Sequence, residues 1–113
     1  MPFPFEGSAT IGTTERSLPA DTTSGVPTSQ TDDGTMQIWL DLNALALGDE
    51  FELKVYEKVG SGTTQRVVWS TRFIGPLAPI YVSPAVMVRH GWEVTLKKIA
   101  GTDRAIPWSL RSP

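Results

Sequence analysis

Met36-Gln37-Ile38-Trp39-Leu40-Asp41-Leu42 decides the class of this chain, because its apolar and polar residues alternate with a period of two. Three further stretches repeat the pattern: Phe51-Glu52-Leu53-Lys54-Val55-Tyr56, Val67-Val68-Trp69-Ser70-Thr71-Arg72-Phe73 and Trp92-Glu93-Val94-Thr95-Leu96-Lys97. Successive side chains of an extended strand point to opposite faces, so each stretch has one face for a core and one for water. The pattern predicts half-buried antiparallel sheets, not helices. With ten Gly and nine Pro in 113 residues, turns are frequent enough to separate many short strands.

Working outward from these four strands, further elements follow. Ser8–Leu18 is Thr-rich and reads as an edge strand. Residues 19–34 are polar, with Val26 almost their only apolar side chain, and predict a long surface loop, with a short strand concealed near Gly25–Thr28 as the alternative. Leu42, Leu45 and Ala46 followed by Gly48 suggest a single helical turn closed by glycine. Gly60–Thr64 is a hairpin loop between one strand with Phe51, Leu53, Val55 and Val59 inward and another with Val67, Trp69 and Phe73 inward. Ile80–Val82 and Ala85–Arg89 are short strands, and His90-Gly91 turns into the strand beginning at Trp92. In the last strand Ile106, Trp108 and Leu110 alternate, while Pro107, having no N–H, asks for a sheet edge or an unpaired side. The expectation is an all-β chain: a single small antiparallel β-sandwich or jelly roll of seven to eight strands. Residues 1–7 form an extended N-terminal arm and 8–113 the domain. Pro2 and Pro4 stiffen that arm and hold out Phe3 and Phe5.

Composition narrows the function. Cysteine is absent and there is one histidine, so neither a disulfide framework nor a Cys/His metal site is available. No apolar run approaches 18 residues, and the N-terminus has no basic region followed by an apolar one; the expectation is a soluble protein without a secretory signal. Net charge is −2, yet residues 1–50 hold eight acids and one base, and residues 51–113 four acids and nine bases. That asymmetry suits either neutralisation between strands or head-to-tail contact between copies.

Catalytic patterns are missing. There is no Gly-x-Ser-x-Gly elbow, no phosphate-cradling glycine loop opening a helix, and no pair of carboxylates singled out by spacing. Asp32-Asp33 and Asp49-Glu50, each beside a glycine, are turn formers, with calcium binding as the alternative. Lys97-Lys98, Arg89, Arg104 and Arg111 offer a basic set, but a pI near 5.3 argues against nucleic acid. Periodicity puts Trp69, Trp92 and Trp108 on core faces, whereas Trp39 shares its face with Gln37 and Asp41. Trp39 is therefore the exposed aromatic best suited to an interface. No cofactor and no enzymatic activity are expected. The expected partner-binding residues are Phe3 and Phe5 as anchors, Val26, Asp32 and Asp33 in the contact loop, and Trp39.

The stretch from Leu42 to Lys58, with Ser83-Pro84, His90-Gly91-Trp92 and Thr95–Lys98, resembles small structural proteins of tailed-bacteriophage virions, the capsid decoration or cement type. The resemblance implies a compact β-sandwich that binds the major capsid protein on the outer surface of the shell. It further implies a homo-oligomer, a trimer by analogy, made in the host cytoplasm and carried on the virion. The alternatives are a tail or baseplate subunit, or a carbohydrate-binding module that stacks sugars on Trp39 and Tyr56.

Overall fold

The computed structural model of the chain describes residues 5–76 and 80–112. Nine strands run in the order β1 (Phe5–Ile11), β2 (Arg16–Ser17), β3 (Gly34–Asp41), β4 (Glu50–Glu57), β5 (Arg66–Ile74), β6 (Ile80–Val82), β7 (Val86–Val88), β8 (Glu93–Ala100) and β9 (Arg104–Arg111). One antiparallel sheet has the order β1-β9-β3-β6, with β7 also on β3; the other has the order β2-β8-β4-β5. Their inner faces enclose a core built from the residues the alternation selects: Met36, Ile38 and Leu40 on β3, Phe51, Leu53 and Val55 on β4, Val94 and Leu96 on β8, and Ile106, Trp108 and Leu110 on β9. Burying one such side chain stabilises the fold by about 1.5–3 kcal/mol, so these four strands dominate the energetics.

β6 and β7 behave as one interrupted strand. Pro84 lies between them, and the buried Ser83 bridges the gap: its N–H donates to the Ile38 carbonyl (2.9 Å) while its Oγ accepts from the Ile38 N–H (2.8 Å). Counted so, the pairs are first with last, second with seventh, third with sixth and fourth with fifth. The chain is a long antiparallel hairpin wrapped into two sheets, which is the jelly-roll order.

Several local expectations give way to tertiary structure. Ser8–Leu18 is not one strand: Gly12–Glu15 carries the chain from β1 in one sheet to β2 in the other. Phe5, Glu6 and Gly7 belong to β1, so no arm begins before residue 8 within the described residues; Phe3 lies outside them. Leu42–Asp49 makes two successive turns in place of a helical one, with Leu45 N–H donating to Leu42 O (3.1 Å) and Asp49 N–H to Ala46 O (3.0 Å). Val59 lies past the end of β4 and is exposed.

Val67 is exposed as well, because the β4–β5 register slips between Val55 and Tyr56: Val55 faces Trp69 while Tyr56 faces Val67. The extra residue, Val68, turns Val67 from the core side toward the side of Tyr56. Pro107 sits on a central strand, opposite Ser8 of β1, but the β3 ladder stops at Leu40–Trp108 and asks nothing of its missing N–H.

Candidate interaction surfaces

Residues 19–33 are fastened to the domain as a strap. Glu93 points to the outer side of β8, yet is fully buried because this segment covers it. Its Oε1 accepts from Ser17 Oγ (2.9 Å) and the Val94 N–H (2.8 Å), and its Oε2 from the Thr28 N–H (2.8 Å) and Thr28 Oγ1 (2.5 Å). Gln30 and Trp92 exchange backbone hydrogen bonds of 2.7 and 3.0 Å, the Trp92 indole N–H donates to Asp32 O (2.7 Å), and Gln65 Nε2 donates to Thr28 O (2.7 Å). Glu93 forms no ion pair among the described residues, and a buried carboxylate of that kind persists only where donors surround it, as four do here. Of the residues expected to touch a partner here, Val26 and Asp32 are half-buried and Asp33 is exposed; no strand forms at Gly25–Thr28. Sequence reasoning missed Glu93, whose place in an alternating strand marks it as solvent-facing.

Phe5 packs inward. It pairs with Leu110 and meets the Trp92 ring edge-on at 5.9 Å, so it is bound up with the domain's own core. Trp39 does emerge on the outer face of the β1-β9-β3-β6 sheet, between Ser109 on β9 and Val82 on β6. The Arg111 guanidinium lies 4.0 Å from its ring centroid, and Arg111 Nε is held by Ser109 Oγ at 2.9 Å. A shallow depression around the pair is lined by Glu6, Asp41, Ile80 and Pro107. Because Arg111 already covers one ring face, a sugar would have to displace it. Tyr56 is on the outer side of the other sheet, its hydroxyl donating to Glu15 (2.6 Å), so Trp39 and Tyr56 cannot make one stacking platform.

A third surface has no signature in the local sequence pattern. Every exposed large hydrophobic residue among the described residues lies on β5, β6, β7 or the loops flanking β4: Val67, Val68 and Ile74; Ile80 and Val82; Met87; Leu47 and Val59. Leu47, Val59 and Met87 are 88%, 91% and 82% exposed. β5 and β6 are the neighbouring edges of the two sheets, joined by an edge-on Phe73–Tyr81 contact of 4.7 Å. Val67, Val68 and Ile74 line the β5 edge, whereas Ile80 and Val82 lie opposite Asp41 and Trp39 on the outer face of the other sheet. Scattered apolar residues are ordinary on a soluble surface; their gathering on the strands of one margin of the sandwich is what marks an interaction site.

The charged groups are mostly tied into the fold. Asp49 is buried and accepts from the Thr102 N–H (3.0 Å), the Ala46 N–H (2.8 Å) and Arg104 Nε (2.7 Å), which together hold its carboxyl down at about 2 from an ordinary 3.8. With its oxygens so engaged Asp49 is no calcium ligand, and the described residues contain no cluster of three or more His, Cys, Asp or Glu fit for a metal. Burial, then the Glu15 carboxylate, raise the Tyr56 phenol well above its usual 10.0. The basic set is dispersed: Lys98 pairs with Asp103 (2.6 Å), Arg104 with Asp49, and Arg111 lies on Trp39. Next to the one histidine, Glu57 accepts from the backbone N–H groups of Arg89 and His90, bracing the turn before Gly91. No helix among the described residues is long and apolar enough to cross a membrane. No protein-family model, curated protein or solved structure matches the chain.

Proposed function

We propose that this protein is a non-enzymatic assembly component, a decoration or cement subunit on the outer surface of a bacteriophage capsid, acting by surface contact alone. The observation that carries the reading is the confinement of exposed apolar side chains to the β5–β6–β7 side, a surface suited to a protein neighbour. Jelly rolls serve capsid proteins and lectins alike, so the fold itself does not choose between them. The Arg-covered Trp39 and its separation from Tyr56 weigh against the sugar-binding alternative.

In this reading the β5 edge joins neighbouring copies, and the Trp39–Arg111 face, with Ile80 and Val82 beside it, meets the major capsid protein. Each contact is modest, but copies linked to one another on a repeated lattice dissociate only when several contacts break together. Binding to the assembled shell then stabilises it by mass action. The test is co-sedimentation of purified protein with shells that lack it, with tail preparations as the second arm. Saturation at a fixed ratio to shell protein, weakened at least tenfold by Trp39→Ala at unchanged melting temperature, is the expected result. Absence of saturable binding to shells overturns the capsid reading, and saturable binding to tails alone replaces it with the tail one.

A further inference from the structure

We infer that β5 is the site where a second copy of this chain adds, edge to edge, to make a two-fold dimer with a continuous eight-stranded sheet. The inference rests on reading the β5 edge as an interface between copies, and it names the strand and the register. β5 is nine residues long and pairs only with β4 among the described residues, so its outer edge has backbone donors and acceptors open to another strand. β1 is the other long edge, its seven residues paired only with β9 among the described residues. The two edges differ in what they display. β1 shows Glu6, Ser8 and Thr10 outward, which gain nothing from burial, whereas β5 shows Val67, Val68 and Ile74. Joining β5 to β1 would set apolar side chains against polar ones.

Joining β5 to its own copy matches them. With the two-fold axis at Thr71, antiparallel pairing places Val68 opposite the partner's Ile74 on the outer face and Trp69 opposite the partner's Phe73 on the inner face. Both are the apolar and aromatic cross-strand pairs that stabilise sheets. Charge agrees with this arrangement. Arg72, the cation near the middle of the strand, is already paired with Glu50 (2.9 Å) and Glu52 (3.5 Å), so two copies bring together arginine–carboxylate clusters of mixed sign and not bare like charges. A two-fold arrangement is also the commonest closed assembly, because one self-complementary patch suffices.

The experiment uses the whole chain, by light scattering over a concentration series, with two variants. The expected result is a mass twice the 12.3 kDa of the chain at tens of micromolar, and a monomer for the Val68→Lys/Ile74→Lys double variant with unchanged circular dichroism. Ser8→Lys on the β1 edge should leave the mass at twice the chain. Because the chain has no cysteine, Thr71→Cys supplies a single thiol that should cross-link as a disulfide dimer under mild oxidation, and this arm stands even where the lysine variant folds poorly. A wild-type monomer up to millimolar concentration overturns the inference, as does a dimer that survives both lysines or fails to cross-link through residue 71. Shell binding is read separately. A monomer that saturates shells refutes the dimer and leaves the proposed function standing, and a β5 dimer that ignores shells does the reverse.

Discussion

Replacing Glu93 with glutamine tests whether the strap over residues 19–33 is held by charge-assisted hydrogen bonds. Each carboxylate oxygen receives one peptide N–H and one hydroxyl: Val94 N–H with Ser17 Oγ on one side, Thr28 N–H with Thr28 Oγ1 on the other. The hydroxyls can rotate to accept from an amide NH2 group, but the peptide N–H groups cannot turn. Whichever way the new amide sits, one peptide donor is left facing another donor. The Val94 side is buried and the Thr28 side only partly so, and the variant should keep its oxygen toward Val94 and abandon Thr28. An unsatisfied donor that water partly reaches costs about 1–2 kcal/mol, at the lower end of the range for buried groups. Removing a buried charge relieves desolvation and works in the opposite sense, so the sign of the result decides which effect wins. For a chain of this size the expected loss is roughly 4–8 °C in melting temperature. Amide hydrogen exchange should quicken at Thr28 and Gln30 while Val94 stays protected. A Glu93→Gln variant as stable as the parent, or one that loses protection first at Val94, refutes the reasoning.

Gly7→Ala should destabilise by about 1–3 kcal/mol in urea unfolding, because an added Cβ would lie 2.6 Å from Cζ2 of Trp108, whose indole is fixed by a hydrogen bond to Leu18 O. Near-parental stability would mean that the Trp108 ring yields without cost. The Asp49 carboxyl, held at about 2 against 3.8 when unperturbed, contributes stability that is complete above about pH 5, wanes as pH falls through 3.8 and is lost below about pH 2. Asp49→Asn should flatten that acid limb of a pH-dependent thermal melt, and an unchanged limb would assign the acid loss to other groups.

Much of the fold was legible because burial on one face forces a period of two, and β3, β4, β8 and β9 each carry it across most of their length. Trp92 and Trp108 were assigned to the core by the same rule, as was the outward face of the half-buried Trp39, whereas Trp69, on the edge strand β5, is only partly buried against the core. The rule failed where something other than alternation acts on a residue. At Val67 a one-residue slip against β4 changes the face. At Phe5 the ladder with β9 draws a proline-flanked segment into the sandwich. At Glu93 a segment more than sixty residues earlier in the chain covers a position whose strand face points outward. The candidate surfaces divide in the same way: Trp39 could be read from its neighbours in sequence, whereas the apolar side collects residues from Leu47 to Met87 that no local pattern connects.

The sequence by itself determined that the chain is all-β, which residues face the core of its long strands, and that it has no cysteine chemistry. These follow from the fixed geometry of an extended backbone and from the residue types present. Only the tertiary structure decided which strands are neighbours, which edges stay open, and where polar groups are buried. Strand pairing is set by contacts between distant segments whose hydrogen bonds and packing are satisfied together, and those energies belong to pairs of residues and not to any one stretch of chain.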